Sequence, residues 1–287
     1  MTTEIVRANG IEIWTEAMGN RADSPLLLIM GASGQGICWE DDFCRQLVDS
    51  GRFVIRFDNR DTGMTTCFDF EKHPYTLTDM AADAVGILDA YGLESAHVVG
   101  ISMGGMIGQL LAIEHPRRIR SLTSIMSSPV TSITSGDTGL PPPSPEFIAK
   151  MLALSSESPA TSRDDYIEDY VTGTEMLAGS LEPFDREAMR RIGALEVDRA
   201  TDYAARSNHG LALESTEPGD RRPQLRELDI PTLVIHGTED PILTLPHGVA
   251  TAEAIPGAKL LTIEKLGHEM PRSAWPAVIP AILDHTR

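Results

Sequence analysis

Ala96-His97-Val98-Val99-Gly100-Ile101-Ser102-Met103-Gly104-Gly105-Met106-Ile107-Gly108 is the stretch around which the chain is organised. It opens with a short apolar run of strand type, turns sharply at Gly-x-Ser-x-Gly, and continues as a small-residue segment of helical type. A serine on such a strand–turn–helix corner is forced into strained backbone geometry, with its hydroxyl pushed out above the sheet edge. Gly100 and Gly104 leave room for strand and helix to approach closely, and Gly105 keeps the first helical turn thin. The helix N-terminus behind Ser102 offers free N–H groups and a positive dipole end, where an oxyanion is stabilised. The bare pentapeptide also fits an ordinary turn. The strand before it and the helix after it supply the context that the motif requires.

Working outward, the helix after Ser102 is expected to run to about Glu114, ahead of His115-Pro116, and Leu122 to Met126 reads as the next strand. On the N-terminal side, Ile5-Val6 and Ile11 to Glu16 read as strands joined at Asn9-Gly10, a strong hairpin signal. Leu26 to Met30 is a continuous apolar run suited to a strand covered on both faces, and it ends in the loop Gly31-Ala32-Ser33-Gly34-Gln35-Gly36. Trp39 to Val48 reads as a helix and Arg52 to Phe57 as a strand. A 3.6-residue apolar period predicts a helix from Thr78 to Tyr91, stopped by Gly92.

The alternation breaks at Pro141-Pro142-Pro143-Ser144-Pro145, which is neither helix nor central strand. From Glu146 to about Arg226 the segments look helical, and acids outnumber bases there, as on a solvated outer face. Strands resume at Pro231 to His236 and Lys259 to Ile263, with helices from Pro246 to about Ile255 and from about Ser273 to Thr286. Strands alternating with helices mean a mostly parallel central sheet covered by helices on both faces. The expected organisation is a core of residues 1–130 and 227–287 with an inserted helical cap at 131–226.

In an open parallel sheet, ligands bind beyond the carboxyl ends of the strands. Ser102, Asp240 and His268 all leave such ends, in the order nucleophile, acid, histidine. A serine hydroxyl is a poor nucleophile until an imidazole takes its proton, which is the role expected of His268. Asp240 would fix the imidazole tautomer and stabilise the transient imidazolium; Glu239 is the alternative acid. The other seven histidines, His97, His209, His236 and His247 among them, are read as solvated polar residues. An oxyanion hole needs the N–H of the residue after the nucleophile and one from an early strand loop, which points to Met103 and Ala32. The Gly31 loop is no phosphate cradle, because no Gly-Lys-Ser/Thr or Gly-x-Gly-x-x-Gly arrangement is present.

Composition bounds the function. The 287 residues, 41% hydrophobic and 23% charged, suit one large α/β domain. A net charge of −18 argues against nucleic acid and anionic membranes as partners. No apolar run is long enough for a membrane span, and the N-terminus has no basic region followed by an apolar stretch. Cys38, Cys44 and Cys67 lack metal-ligand spacing and read as free thiols of a cytoplasmic protein.

Met30-Gly31-Ala32, Phe57 to Gly63, Gly100 to Gly104, Gly237 to Pro241 and Gly267-His268 together resemble an α/β-hydrolase over nearly the whole chain. More narrowly, the chain is similar to the bacterial esterase branch that includes the anthracycline (aclacinomycin) methylesterases and related mycobacterial lipase/esterase-type proteins. The Met-Gly start of the oxyanion loop and the Arg60-Asp61-Thr62-Gly63 loop carry that likeness. Met30 stands where many members of the superfamily have histidine, and the backbone donors do not depend on it. The resemblance implies an α/β-hydrolase fold and a serine hydrolase that cleaves a carboxylic ester through an acyl-enzyme, with no metal or organic cofactor. A small-molecule ester of a bulky apolar acid, a methyl ester for example, is the expected partner. Gly31, Phe147, Met151, Tyr166, Met176 and Met189 are candidate substrate contacts, while Asp58, Arg60 and Asp61 read as loop scaffolding. Lactone cleavage, carbon–carbon bond hydrolysis, perhydrolysis and a non-enzymatic ligand receptor are the alternatives on the same fold.

Overall fold

Asn9 and Gly10 turn the chain at φ of 47° and 82°, the positive values that a two-residue type I′ turn needs. They join β1 (Thr2–Ala8) to β2 (Ile11–Met18) as an antiparallel hairpin, each strand running further than its apolar centre alone predicts. The remaining strands are β3 (Ser24–Ile29), β4 (Arg52–Phe57), β5 (Ala96–Ile101), β6 (Ile119–Ile125), β7 (Thr232–Gly237) and β8 (Lys259–Ile263). They form one eight-stranded sheet in the order β1-β2-β4-β3-β5-β6-β7-β8. From β4 to β8 all neighbours are parallel, and β1 and β2 add an antiparallel edge. The computed structural model describes residues 1–131, 138–155, 160–217 and 219–287.

Helices α1 (Asp41–Asp49), α2 (Leu77–Ala90) and α3 (Met103–Glu114) alternate with the early strands. Between β6 and β7 lie α4 (Pro145–Ser155), α5 (Arg163–Leu177), α6 (Arg186–Arg199), α7 (Asn208–Ser215) and the single turn α8 (Arg222–Leu225). Helices α9 (Leu245–Ala254) and α10 (Trp275–His285) complete the chain. The helix expected from Trp39 is shorter: Gly36–Cys38 forms a 3-10 turn, Glu40 is extended, and α1 begins at Asp41. Asp41 and Asp42 in its first turn complement the positive end of the helix.

Both faces of the sheet are covered. Leu27, Ile55 and Val98 pack under Leu77, Met80, Ile107 and Leu111 of α2 and α3. Leu28, Val54 and Val99 pack against Phe43 and Leu47 of α1 and Trp275 and Val278 of α10. Val98 and Val99 serve opposite faces because side chains alternate along a strand. Each such fully buried apolar side chain contributes about 1.5–3 kcal/mol.

The ends of the segment between β6 and β7 are stitched together by a bridge between Val130 and Asp220. The Thr131 amide donates to the Gly219 carbonyl and the Arg221 amide to the Pro129 carbonyl, both over 2.9 Å. Among its described residues this segment is helical and contains no strand, and Pro145 opens α4, where its missing N–H costs nothing. Because β3 pairs with both β4 and β5, the strand order reverses there, and the crevice above that point is where such sheets bind ligands.

Candidate active site

Ser102 leaves β5 at φ 54°, ψ −122° and starts α3. A non-glycine residue in this region costs on the order of 1–3 kcal/mol and persists only where its surroundings fix it. Here the Ser102 amide donates to the Ile125 carbonyl over 2.8 Å, and its carbonyl accepts from the Gly105 amide at 2.9 Å and from Ser127 Oγ at 2.8 Å. The flanking glycines are obligatory for contact reasons. A Cβ on Gly100 would overlap the Gly104 carbonyl, and one on Gly104 would overlap the Ile29 carbonyl of β3. Strand and helix therefore meet backbone to backbone.

The structure brings Ser102, His268 and Asp240 together from the ends of β5, β8 and β7. Ser102 Oγ lies 2.9 Å from His268 Nε2, and His268 Nδ1 lies 2.6 Å from Asp240 Oδ2. A carboxylate can only accept, so Nδ1 carries the proton and Nε2 is free to accept from the serine hydroxyl. Asp240 is buried, and its Oδ1 accepts from the Ile242 and Leu243 amides at 3.0 and 2.8 Å. Burial opposes its ionisation, yet the His268 charge and hydrogen bonding to His236 and His268 hold its carboxyl well below the usual carboxylate range. A persistent carboxylate results, aimed at the imidazole.

Gly31 and Ala32 follow β3 on the other side of the crevice. A Cβ on Gly31 would come within 3.1 Å of Ser102 Cβ and 3.7 Å of Ser102 Oγ, so the loop lies directly against the serine. Asn59 Nδ2 donates to the Met30 carbonyl over 3.0 Å and anchors the start of this loop. Met103 is the first residue of α3, and its amide has no intrahelical acceptor. The loop after β3 and the first turn of α3 thus meet at the serine.

Glu239 lies outside the relay: its carboxylate accepts from the Ser180 amide at 2.7 Å and from Ser180 Oγ at 2.9 Å. The Phe57–Gly63 loop is scaffolding in the structure. Asp58 accepts from the Gly36 amide and pairs with Arg199, Arg60 pairs with Asp83, and Asp61 accepts from Tyr75 and Asn208. Cys38 donates to Glu196 Oε1 over 2.8 Å, and burial together with Glu196 pushes its thiol well above the ordinary value. A thiol held protonated in this way is a weak nucleophile.

The solvated reading of the remaining histidines fails for four of them. His97, His209, His236 and His247 are buried and bonded to Ser121, Ser33, Leu243 and Ser128 respectively. Glu196, one of the acids taken as outer face, is fully buried as well. The partners of His209, His247 and Glu196 lie 176, 119 and 161 residues away, and no local signal marks them.

The candidate substrate contacts are dispersed. Met176 is buried near the end of α5, and Tyr166 stacks edge-on against Tyr203 with ring centroids 5.3 Å apart. Phe147 and Met189 are half-buried, and Met151 is 47% exposed on α4. An apolar cleft of about 630 Å³ lies beside α4, lined by Pro141 to Pro145, Ile148 and Leu152, and contains none of these five residues. Among the described residues, no three His, Cys, Asp or Glu side chains gather as a metal site, and no helix is long and apolar enough to cross a membrane.

The chain belongs to the α/β-hydrolase fold family, whose model matches residues 24–271. It is 35% identical to the rhodomycin D methylesterase DauP of Streptomyces sp. (strain C5), with 100% of this chain and 99% of that protein aligned. The rhodomycin D methylesterase DnrP of Streptomyces peucetius matches with the same identity and coverage. Among solved structures, an esterase from Exiguobacterium antarcticum superposes with a TM-score of 0.77 over 99% of each chain at 20% identity, a likeness of fold.

Proposed function

We propose that the protein is a serine hydrolase that cleaves the methyl ester of a bulky apolar carboxylic acid. The observation that carries this reading is the continuous relay from Ser102 Oγ through His268 to Asp240, at 2.9 and 2.6 Å, at the strand ends where such sheets work. Full-length similarity to two methylesterases supports the choice of ester.

Ser102 Oγ attacks the ester carbonyl while His268 Nε2 takes its proton, and Asp240 stabilises the imidazolium that forms. The Ala32 and Met103 amides receive the oxyanion of the tetrahedral intermediate, a contribution of about 3–4 kcal/mol per donor in sites of this kind. The imidazolium returns its proton to the departing alkoxide, methanol leaves, and Ser102 is acylated. Water, activated by the same imidazole, then releases the acid. Residues 1–130 and 227–287 serve as the catalytic core, with 131–226 as a cap that shapes the acyl pocket. The three unpaired cysteines support a reducing, cytoplasmic setting.

Turnover of methyl and p-nitrophenyl esters of graded acyl size, beside Ser102→Ala, tests the reading. Hydrolysis abolished by the substitution is the expected result, and the preferred acyl size reports the cap pocket. Hydrolysis that survives Ser102→Ala overturns it.

A further inference from the structure

The loop bearing Ala32 is gripped from above by the cap. The Ser33 amide donates to His209 Nδ1 over 2.8 Å, and Ser33 Oγ donates to the Arg206 carbonyl over 3.2 Å. Two residues on, the Gln35 amide donates to Glu196 Oε1 over 2.9 Å and Gln35 Nε2 to the Glu196 carbonyl over 2.7 Å. With Arg199 Nη1 donating to Gln35 Oε1, five hydrogen bonds join Ser33 and Gln35 of one short core loop to α6, α7 and the turn between them.

His209 occupies a special place among these partners. Its ring is fully buried, and Nε2 lies 2.7 Å from the Arg60 carbonyl, which can only accept. The proton therefore resides on Nε2, and the Nδ1 lone pair is turned toward the Ser33 N–H. Ser33 itself is at φ 65°, a left-handed conformation that a serine does not adopt without external support. The bond to His209 supplies that support, and it fixes the peptide plane that adjoins Ala32. The imidazole also ties the Arg60 loop after β4 to the loop after β3, so two core loops share one cap residue.

We infer that His209 is a positioning residue for ester cleavage, holding Ser33 so that the neighbouring Ala32 amide points at the developing oxyanion. This rests on the reading of Ala32 as an oxyanion donor. A correctly placed donor in such a hole is worth about 10²–10³ in kcat, and a donor tilted away loses part of that factor. The ground-state ester makes a weaker contact at the same point, so the loss should fall on kcat rather than KM.

Two substitutions separate positioning from mere packing. His209→Asn keeps an acceptor at the Nδ1 position and loses the donor to Arg60; His209→Gln keeps a donor at the Nε2 position and loses the acceptor for Ser33. Steady-state kinetics on a p-nitrophenyl ester, with melting temperatures of each variant, should show kcat lowered about 10–100-fold in His209→Gln at nearly constant KM. His209→Asn should recover most of that loss even if it melts no higher. A folded His209→Gln with wild-type kcat, or a folded His209→Asn slower than His209→Gln, overturns the inference; either variant decides if the other fails to fold. Ala32→Pro, which deletes the proposed donor, is measured in parallel. If Ala32→Pro keeps full kcat, the oxyanion reading falls and takes this inference with it. If Ala32→Pro is slow while His209→Gln is not, the positioning role alone is refuted.

Discussion

The backbone amide of His268 donates to the carbonyl of Leu177 over 2.7 Å, so the last turn of α5 fixes the loop that carries the proposed base. The approach is backbone to backbone on both sides. A Cβ on Gly179 would overlap the Lys265 carbonyl and the Gly267 amide, and one on Gly267 would overlap the Gly179 amide. Glu269 Oε1 accepts from the Gly179 amide over 3.1 Å and closes the contact. Gly179→Val should therefore displace the His268 loop and lower kcat by about 10–100-fold, the scale of a 1 Å misplacement in an active site. Gly173→Ala, inside α5 and facing open space, is the control: activity unchanged, stability raised by about 0.5–1 kcal/mol. Ester kinetics and thermal melts check both, and a fully active Gly179→Val would show that the contact does not position the histidine.

Asp240 and Glu239 are adjacent in the chain, but their environments differ. Asp240 is buried and accepts a hydrogen bond from His268 Nδ1, whereas Glu239 accepts from Ser180, between α5 and α6. Asp240→Asn should present an N–H where an acceptor is required and favour the wrong tautomer, cutting kcat by about 10³–10⁴-fold. Glu239→Gln should leave kcat within a small factor of wild type. Equal losses in the two variants would mean that the acid is shared or misassigned.

What could be read in the chain follows the range of the forces involved. The elbow at Ser102, the Asn9-Gly10 hairpin and the apolar strand runs are set by contacts within a few residues, and each stands at its expected place. That Asp240 and His268 converge on Ser102 was legible because parallel-sheet topology gathers loops at strand ends whatever the intervening sequence. The helical segment between β6 and β7 obeys no such rule. Helical periodicity marks an apolar face and says nothing of what covers it, so Met151 is 47% exposed while Glu196 is sealed against Gln35 and Cys38. His209 and His247 were missed for the same reason: their partners Ser33 and Ser128 are 176 and 119 residues away.

Glu196 gives a pH-dependent prediction. Burial raises its pKa from the ordinary 4.5, outweighing the hydrogen bonds from Cys38 and Gln35. A carboxyl with a raised folded pKa binds its proton more tightly in the fold than in the unfolded chain, so ionisation destabilises the fold. That cost is absent below pH 4.5 and grows as the pH rises toward the raised value. Glu196→Gln keeps an acceptor for the Gln35 amide and removes the charge. Its melting temperature should exceed that of wild type at pH 8, with the advantage shrinking toward pH 4.5. A difference independent of pH would show that the carboxyl does not titrate across this range.

The loop after β4 rests on a buried ion pair. Arg60 Nε and Nη2 meet the two carboxylate oxygens of Asp83 at 2.7 and 2.6 Å, with both side chains no more than 6% exposed. The guanidinium also stacks on Tyr75, 4.7 Å from the ring centroid, and Asn9 Nδ2 donates to Asp83 Oδ1 over 2.9 Å. Removing one member strands a charge in a dry site, so Asp83→Ala should cost about 3–5 kcal/mol in urea unfolding. Arg60→Met with Asp83→Leu removes both charges and should cost less than either single substitution, a coupling that a double-mutant cycle reads directly. The kinetic consequence separates this pair from ordinary core. Arg60 offers its carbonyl to His209, so a loop displaced in Asp83→Ala should lower kcat through His209 and Ser33 even at temperatures where the variant remains folded. A destabilised Asp83→Ala with full kcat in the cold would instead mean that the Arg60 loop holds its place without the ion pair.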